Sequence, residues 1–353
     1  MARLCEGRVA IVTGGARGVG REHCLMLAEH GAKVVVNDLG GDRAGKGHDV
    51  GPAQQVVNEI KAMGGEAVAN GDDVSDWNGA KHMIDQAIEA FGKLDAIVLN
   101  AGILRDRMLV NMSEDEWDAV IKVHLKGTFA PARHAAAYWR DQAKLKGGPV
   151  DARIITTTSV SGIYGNIGQT NYGAAKAGIA SFTIIAAREL ARYGVTVNSI
   201  SPSAFTRMTE DLREYTEEDK KRRDPKWIAP VATWLVSEDS REVTGRVFQA
   251  GNGIFAVAEG WHKGPTVEQI MDPVQAGKVL AEIARKARKN AGMNGLDLDR
   301  NHPGRRPNNR RSRSIAARRW RRRPRLRSFR ARCVPRHGPA SRSAGSCPTR
   351  PAA

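Results

Sequence analysis

The sequence predicts an α/β fold in which helices cover both faces of a parallel sheet. Short runs of β-branched and apolar residues alternate with longer segments of helical spacing. The runs are continuous rather than alternating in polarity, as expected for strands that are buried on both faces. Strand and helix in strict succession imply that consecutive strands lie parallel in one sheet. We therefore expect a single domain with a Rossmann-type, doubly wound sheet of about seven strands.

Each element is justified by its own pattern. The predicted strands are Val9–Val12, Lys33–Val36, Ala67–Ala69, Leu94–Leu99, Arg153–Thr156, Val195–Ile200 and Arg246–Phe248. Helical spacing covers Glu22–Glu29, Gln54–Met63, Ala80–Phe91, Glu114–Arg140, Ala174–Arg192 and Trp227–Leu235. Leu39–Gly51 is rich in glycine and charge and is predicted to be a surface loop, while Ile254–Gly292 is predicted to mix helix and loop.

The positive charge of the chain is confined to its end. The formal net charge is +17, yet residues 300–353 hold 18 arginines and no acidic residue. Residues 1–299 therefore carry 37 basic and 38 acidic residues. The composition of the end, mainly Arg, Pro, Ser, Ala and Gly, predicts disorder. It is either an arm for nucleic acid or an acidic partner, or a non-functional, frame-shifted extension; nucleic-acid binding by the body is not expected.

Composition also limits the cellular setting. The four cysteines have no metal-ligand spacing, so we expect neither a metal site nor a disulfide framework. No apolar N-terminal stretch resembles a signal peptide, and no run approaches the length of a membrane span. The expectation is a cytoplasmic protein without a membrane span.

A glycine-rich turn follows the first predicted strand. Gly14, Gly18 and Gly20 permit a tight turn and close approach of the backbone to a pyrophosphate, which the start of the next helix would bind. Asp38 ends the second strand, 18 residues after Gly20, where a carboxylate accepts hydrogen bonds from an adenosine ribose. That charge would repel a 2′-phosphate, whereas Arg17 could bind one. We weight the carboxylate more heavily and predict NAD.

A serine, a tyrosine and a lysine complete the pattern. Tyr172 and Lys176 lie four residues apart, on one face of a predicted helix, and Ser159 precedes the tyrosine by thirteen residues. An ammonium near the phenol would lower the pKa of Tyr172 and favour proton exchange with an alcohol or ketone. Ser159 would hold the substrate oxygen. Each residue alone is more often structural, and the joint spacing carries the prediction.

These motifs resemble those of the short-chain dehydrogenase/reductase family, over roughly residues 5–255. Further family markers are Asp73-Val74, Asn100-Ala101-Gly102, Asn198 and Pro202. The resemblance implies that Asp73 and Val74 bind the adenine and that Asn100, Ala101 and Gly102 line the cofactor. It also implies that Lys176 binds the nicotinamide ribose and that Pro202 lies on the nicotinamide side.

A narrower resemblance is to the dehydrogenase portion of peroxisomal multifunctional enzyme type 2 and its stand-alone bacterial relatives. It is carried by segments such as Val36-Asn-Asp-Leu-Gly-Gly41 and Gly162-Ile-Tyr-Gly-Asn166. It implies oxidation of (3R)-3-hydroxyacyl-CoA with NAD. It also implies a role for His124, where the broad family has Asn: either a proton relay to Lys176 or a structural bond to the backbone.

The resemblance sets the remaining expectations. The predicted domains are an NAD-binding domain over 1–255, an extension packed on it over 256–300, and the tail over 301–353. A homotetramer or homodimer is expected.

The alternatives to a hydroxyacyl-CoA dehydrogenase are an NADPH-dependent 3-oxoacyl-carrier-protein reductase, a hydroxysteroid dehydrogenase, and a non-enzymatic nucleotide-sensing or nucleic-acid-binding protein. The arginines at 207, 213, 222 and 223 are candidates for binding CoA phosphates.

Overall fold

The computed structural model describes residues 3–42, 44–210 and 214–297. The predicted tail over 301–353 lies outside the described residues, as does Arg213. Within the described part, eight strands form one sheet in the order β3-β2-β1-β4-β5-β6-β7-β8. The strands are β1 (Val9–Thr13), β2 (Lys33–Asn37), β3 (Ala67–Asn70), β4 (Ala96–Leu99), β5 (Ala152–Thr157), β6 (Val195–Ser203), β7 (Val247–Gly251) and β8 (Ile254–Ala258).

The predicted fold class is confirmed, with one additional strand. Strands β1 to β7 pair in parallel, and each overlaps a run predicted from the sequence. Strand β8 is antiparallel to β7 and lies within the segment that was expected to mix helix and loop. Its three exposed apolar side chains leave no alternation of polarity that would mark a strand: Ile254, Phe255 and Val257.

Ten α-helices are described. They are α1 (Gly18–Glu29), α2 (Gly51–Ala62), α3 (Trp77–Phe91), α4 (Glu114–Ile121), α5 (Gly127–Lys146), α6 (Val160–Ile163), α7 (Thr170–Leu190), α8 (Glu217–Arg222), α9 (Ala229–Val236) and α10 (Pro273–Lys286). The described residues of the predicted loop after β2 contain no helix or strand before α2 begins. Among the described residues, no helix is both long and apolar enough to cross a membrane.

The single helix predicted over Glu114–Arg140 is wrong at one point. A capping box between Ser113 and Glu116 starts α4, but Lys122–Lys126 form a π-helical segment before α5 continues to Lys146. One extra residue in a turn barely disturbs the spacing of apolar residues, so the sequence pattern did not reveal it. Such bulges are frequent at functional sites, and this one contains His124.

Two apolar layers fix the sheet between helices. Leu27 of α1, Ile60 of α2 and Leu235 of α9 belong to the core on one face. Met83 of α3 and Trp139 of α5 belong to the core on the other face. Both faces are thus occupied by packed side chains, and the loops after the strands remain available for a site. Because β1 has β2 on one side and β4 on the other, the strand order reverses beside β1, where doubly wound sheets form a crevice.

Candidate active site

A cleft of about 610 Å³ opens at the carboxyl ends of the strands. It extends from the glycine turn and Asp38 to Ser159 and Tyr172. All but one of the residues predicted for catalysis and cofactor binding line it: Gly14, Arg17, Gly18, Asp38, Asp73, Val74, Asn100, Ala101, Gly102, His124, Ser159, Tyr172, Lys176 and Pro202. Gly20 is buried directly behind the turn.

The glycine turn has no room for side chains. Gly14 and Gly18 have φ angles of 64° and 51°, in the left-handed region that glycine tolerates. A Cβ at Gly20 would lie 2.0 Å from the carbonyl oxygen of Gly14. Arg17 precedes α1, and its exposed guanidinium donates a long hydrogen bond to the carbonyl oxygen of Gly41 at 3.4 Å. The backbone at the start of α1 therefore faces the cleft without obstruction.

Two carboxylates are fixed at the same end of the cleft. Asp38 accepts hydrogen bonds from the backbone N–H of Ala16 at 3.1 Å and of Gly40 at 2.8 Å. Asp73 accepts from both the N–H and the hydroxyl of Ser75, at 2.8 and 2.7 Å. Backbone donors thus hold both carboxylates in place, and the orientation of Asp38 does not depend on a mobile side chain.

The loop after β4 closes the floor of the cleft. The Thr13 hydroxyl oxygen accepts hydrogen bonds from the N–H of Asn100 at 2.9 Å and of Ala101 at 3.1 Å. The Asn100 amide donates to the carbonyl oxygens of Thr13 and Gly14 at 3.2 and 3.3 Å. A Cβ at Gly102 would lie 2.3 Å from Cε1 of His124. This loop is therefore bonded to the glycine turn and packed on the π-helical segment.

The arrangement fits a dinucleotide. A tight glycine turn at a helix start, a fixed carboxylate at the end of the second strand and a continuous cleft are the features that such a ligand requires. Asp38 would bind the adenosine ribose, and Lys176 would lie near the nicotinamide ribose. No group of three or more His, Cys, Asp or Glu side chains that could hold a metal ion occurs in the described part of the chain.

Ser159, Tyr172 and Lys176 converge at the far end of the cleft. Tyr172 and Lys176 lie on α7, and Lys176 Nζ is 5.6 Å from the centre of the tyrosine ring. Lys176 is 3% exposed and donates to the carbonyl oxygen of Thr157 at 2.6 Å. Ser159 follows β5, and its hydroxyl is hydrogen-bonded to the Tyr172 side chain. The three groups that the sequence predicts to act together are thus neighbours.

In the protein alone the pKa of Tyr172 is raised, whereas the sequence predicted that Lys176 would lower it. Burial raises the pKa of Tyr172 to about 12, the hydrogen bond from Ser159 lowers it, and the Asp106 carboxylate raises it. Burial also lowers the pKa of Lys176 to about 7, so its ammonium is itself costly to maintain. The predicted acidification of Tyr172 by Lys176 does not dominate in the protein alone. An additional positive charge in the cleft, such as an oxidised nicotinamide, would favour the phenolate.

His124 is held in the interior. It is 2% exposed, and its Nε2 lies 2.8 Å from the carbonyl oxygen of Ile103 and 3.1 Å from the Ile103 nitrogen. Its ring meets that of Tyr172 edge-on at 5.1 Å. Burial, and then the nearby Lys176 charge, lower its pKa to about 3. The contact with Ile103 matches the structural alternative for this residue, and the proton relay stays a hypothesis.

Two groups of cleft residues were not predicted from the sequence. Gln169 and Ser161 line the cleft beside Tyr172, and Gln169 donates to the Asp106 carboxylate at 2.7 Å. Met293 lines the mouth of the cleft from the segment after α10. Asp106 and Gln169 are 63 positions apart, and only the folded chain brings them together.

Comparison with known proteins agrees with this geometry. Residues 8–218 match the model of the short chain dehydrogenase family. The chain is 45% identical over 252 residues to hydroxyacyl-CoA dehydrogenase ChsB1 of Mycobacterium tuberculosis, which covers 69% of this chain and 77% of that protein. It is 48% identical over 248 residues to peroxisomal multifunctional enzyme type 2 of Drosophila melanogaster, covering 70% of this chain and 39% of that protein.

A solved structure gives the same result. A short chain dehydrogenase from Mycobacterium avium superposes with a TM-score of 0.73 at 48% identity, over 82% of this chain and 98% of the other. The chain spans only 27% of the length of one large relative, the peroxisomal hydratase-dehydrogenase-epimerase of Neurospora crassa. The protein belongs to the short-chain dehydrogenase/reductase family. It is an oxidoreductase that acts on a CH–OH group with a nicotinamide dinucleotide.

Proposed function

We propose that the protein oxidises (3R)-3-hydroxyacyl-CoA to 3-oxoacyl-CoA with NAD. The observation that carries the proposal is the convergence of Ser159, Tyr172 and Lys176 in one cleft with the glycine turn. The substrate class is supported by relatives whose names describe hydroxyacyl-CoA dehydrogenation and a peroxisomal multifunctional enzyme.

In the proposed reaction, each residue of the chain has a defined task. The Ser159 hydroxyl donates to the substrate oxygen and holds the carbinol against Tyr172. Tyr172, as phenolate, accepts the hydroxyl proton, a transfer that a positioned side chain typically accelerates by about 10²–10⁴-fold. A bound nicotinamide would supply the acceptor for the hydride from C3. Lys176 stabilises the phenolate and orients the nicotinamide ribose; the first task is supported by its Nζ, which lies 5.6 Å from the centre of the Tyr172 ring.

The choice of NAD over NADP is supported by the position of Asp38. Its carboxylate is held by two backbone N–H groups, so it cannot swing away from an incoming 2′-phosphate. Arg17, the only predicted counterweight, is exposed and makes one long hydrogen bond. The fixed negative charge should therefore outweigh the mobile positive one.

Two of the candidate arginines support a CoA ester. Arg207 and Arg223 line the cleft. Arg223 donates to the Ser203 hydroxyl at 2.9 Å, and among the described residues its buried Nε has no hydrogen-bond partner. The planar guanidinium of an arginine that lines the cleft suits phosphate oxygens. Arg222 instead packs on Gly253, outside the cleft lining.

One observation favours a second candidate. The chain is 35% identical over 257 residues to the 3-oxoacyl-[acyl-carrier-protein] reductase FabG of Thermotoga maritima and covers 98% of that protein. The test is a panel that pairs NAD and NADP, or their reduced forms, with (3R)- and (3S)-hydroxyacyl-CoAs, oxoacyl-carrier protein and hydroxysteroids. The proposal expects the highest kcat/KM for NAD with a (3R)-hydroxyacyl-CoA. A tenfold preference for NADPH with carrier protein, or for a steroid, would replace it.

Other expectations are part of the same proposal. A cytoplasmic location, a homotetramer or homodimer, and the domain division at 255 and 300 stay predictions. The alternative roles of the tail are separated by deleting residues 301–353. Lost retention on a polyanion column with unchanged turnover would support the arm, and unchanged retention would support the non-functional extension.

A further inference from the structure

A partly buried polar network adjoins the start of the helix that carries Tyr172. Its centre is Gln169, which is 6% exposed and directly precedes α7. Its amide nitrogen donates to the Asp106 carboxylate at 2.7 Å. Its amide oxygen accepts from the Ser161 hydroxyl at 2.7 Å and from the Asn166 amide at 2.9 Å. One side chain thus connects the loop after β4, the residues that follow Ser159 and the start of the catalytic helix.

Backbone hydrogen bonds reinforce the same junction. The N–H of Arg107 donates to the carbonyl oxygen of Gly168 at 2.8 Å. The Asn171 amide donates to the carbonyl oxygen of Arg105 at 2.9 Å, and its own oxygen accepts from the N–H of Tyr172 at 2.7 Å. The loop that carries Asp106 is therefore fixed to the residues on either side of Gln169. Movement of this loop would move the first turn of α7, and Tyr172 with it.

We propose that Asp106 and Gln169 are a positioning pair, in which Gln169 fixes the first turn of the catalytic helix and Asp106 tunes the proton exchange of Tyr172 through its charge. The inference rests on the proposed role of Tyr172 as the group that takes the substrate proton. It assigns to two residues of the described chain a task that the sequence motifs did not indicate.

Asp106 contributes a negative charge that acts on Tyr172. His124, from the π-helical segment, is buried and neutral because its pKa is lowered to about 3. Lys176, from the same helix as Tyr172, is buried, and burial lowers its pKa to about 7. Ser159, from the end of β5, supplies an uncharged hydroxyl. Asp106 raises the pKa of Tyr172, in the direction opposite to the Ser159 hydrogen bond. On the outer side of the loop, Arg107 is paired with Glu116 at 2.9 Å.

The balance has a chemical consequence. A phenol that ionises too easily would hold the substrate proton weakly, and one that ionises too rarely would seldom accept it. A general base works best when its pKa lies near the operating pH. The Asp106 carboxylate raises the proton affinity of Tyr172 and the Ser159 hydrogen bond lowers it, so the two together set that affinity between these limits. The hydrogen bond from Gln169 keeps the carboxylate at a constant position.

The decisive experiment is the pH dependence of kcat/KM for Asp106→Asn. The asparagine oxygen can still accept from Gln169, so the geometry is kept and only the charge is removed. The acid limb of the profile should move to lower pH by about half a unit, which is about a threefold higher relative rate on that limb. Asp118→Asn, an exposed carboxylate on α4, is the matched control and should leave the profile in place.

A second readout does not require turnover of any substrate. The phenolate absorption of wild type and Asp106→Asn in the presence of NAD, each measured against the same protein carrying Tyr172→Phe, reports the ionisation of Tyr172. The charge role predicts ionisation at lower pH in Asp106→Asn. This result would stand even if the natural substrate were not a hydroxyacyl-CoA, so failure of the two proposals can be told apart.

The positioning role has its own variant. Gln169→Ala removes the acceptor of Ser161 and Asn166 and should lower kcat by about tenfold or more. The affinity for NAD, measured by fluorescence titration, should stay within about threefold, because Gln169 lies at the substrate end of the cleft. The charge role would be overturned if Asp106→Asn left both the acid limb of the kcat/KM profile and the pH of Tyr172 ionisation at their wild-type values. The positioning role would be overturned if Gln169→Ala kept kcat within twofold of wild type.

Discussion

The sharpest test of cofactor recognition is Asp38→Asn. The carboxylate of Asp38 is half-buried and fixed by the N–H groups of Ala16 and Gly40 at 3.1 and 2.8 Å. If Asp38 binds the ribose as proposed, a 2′-phosphate there would lie about 4 Å from its carboxylate. Two unit charges at that separation repel by about 4 kcal/mol at an effective dielectric constant of about 20. Each 1.4 kcal/mol is about a factor of ten, so the repulsion corresponds to about 10³-fold.

The wild-type protein should therefore prefer NAD over NADP by about 10²–10³-fold in kcat/KM, the lower figure allowing for screening by salt. Asp38→Asn removes the charge, and its amide oxygen can still accept one of the two N–H groups. The preference should fall to within about tenfold of unity, mainly through a lower KM for NADP. The assay follows absorbance of the reduced nicotinamide with one substrate and both cofactors.

A control separates charge at this position from charge in the loop. Asp49→Asn alters an exposed carboxylate in the same loop, whose side chain accepts from the N–H of Gly51 at 2.8 Å outside the cleft lining. It should leave the preference within about twofold of wild type. An Asp38→Asn protein that retains a hundredfold preference for NAD would show that the carboxylate does not exclude the 2′-phosphate, and the reasoning would be wrong.

Three further predictions concern the rest of the site. Tyr172→Phe should lower kcat by about 10³-fold or more while binding NAD within about threefold, measured by turnover and fluorescence titration; turnover within tenfold of wild type would contradict the proton-transfer role. The free energy of unfolding of the wild type should rise between about pH 7 and 10. Lys176→Met should remove this rise, as measured by urea denaturation. The unfolding free energy rises because burial lowers the native pKa of Lys176 to about 7, so the unfolded chain binds more protons than the native chain in that pH range. The same slope in Lys176→Met and wild type would refute this prediction. Gly20→Ala should weaken NAD binding by about tenfold or more in titration calorimetry, since its Cβ would lie 2.0 Å from the Gly14 carbonyl oxygen. The control Gly64→Ser, at a turn whose φ of 83° strains any side chain, should lower stability and leave NAD binding unchanged.

The sequence predicted the sheet well because buried parallel strands leave a strong local signal. Val34, Val35 and Val36 of β2 are fully buried, and continuous β-branched runs of this kind are distinctive. Strand β8 was missed because its pairing with β7 is antiparallel at the sheet edge, and its apolar side chains are exposed. An exposed apolar run in a segment of mixed pattern carries no periodicity that specifies a strand.

Much of the candidate site could also be predicted from the sequence, because its residues lie at fixed spacings within single elements. Tyr172 and Lys176 are four apart on α7, and the glycines of the turn are contiguous with β1. The contacts between segments that are distant in the sequence could not be predicted. His124 bonds Ile103 across 21 positions, and Gln169 bonds Asp106 across 63. Short polar contacts of this kind depend on how the loops pack.

The upward shift in the pKa of Tyr172 could not have been predicted from spacing either. A lysine four residues away predicts acidification, but burial of both groups opposes the charged form of each. The outcome depends on desolvation, on Ser159 and on Asp106, which is a property of the folded cleft. A bound nicotinamide would add the positive charge that the protein alone does not supply.

We propose that hydride passes directly between a carbinol and a nicotinamide bound beside Tyr172. It is tested by incubating the protein with NAD and a (3R)-3-hydroxyacyl-CoA that carries deuterium at C3, followed by mass spectrometry of the reduced nicotinamide. We expect essentially all of the deuterium to appear in the nicotinamide and Tyr172→Phe to abolish the transfer. Deuterium lost to water, or transfer that persists at the wild-type rate in Tyr172→Phe, would contradict it.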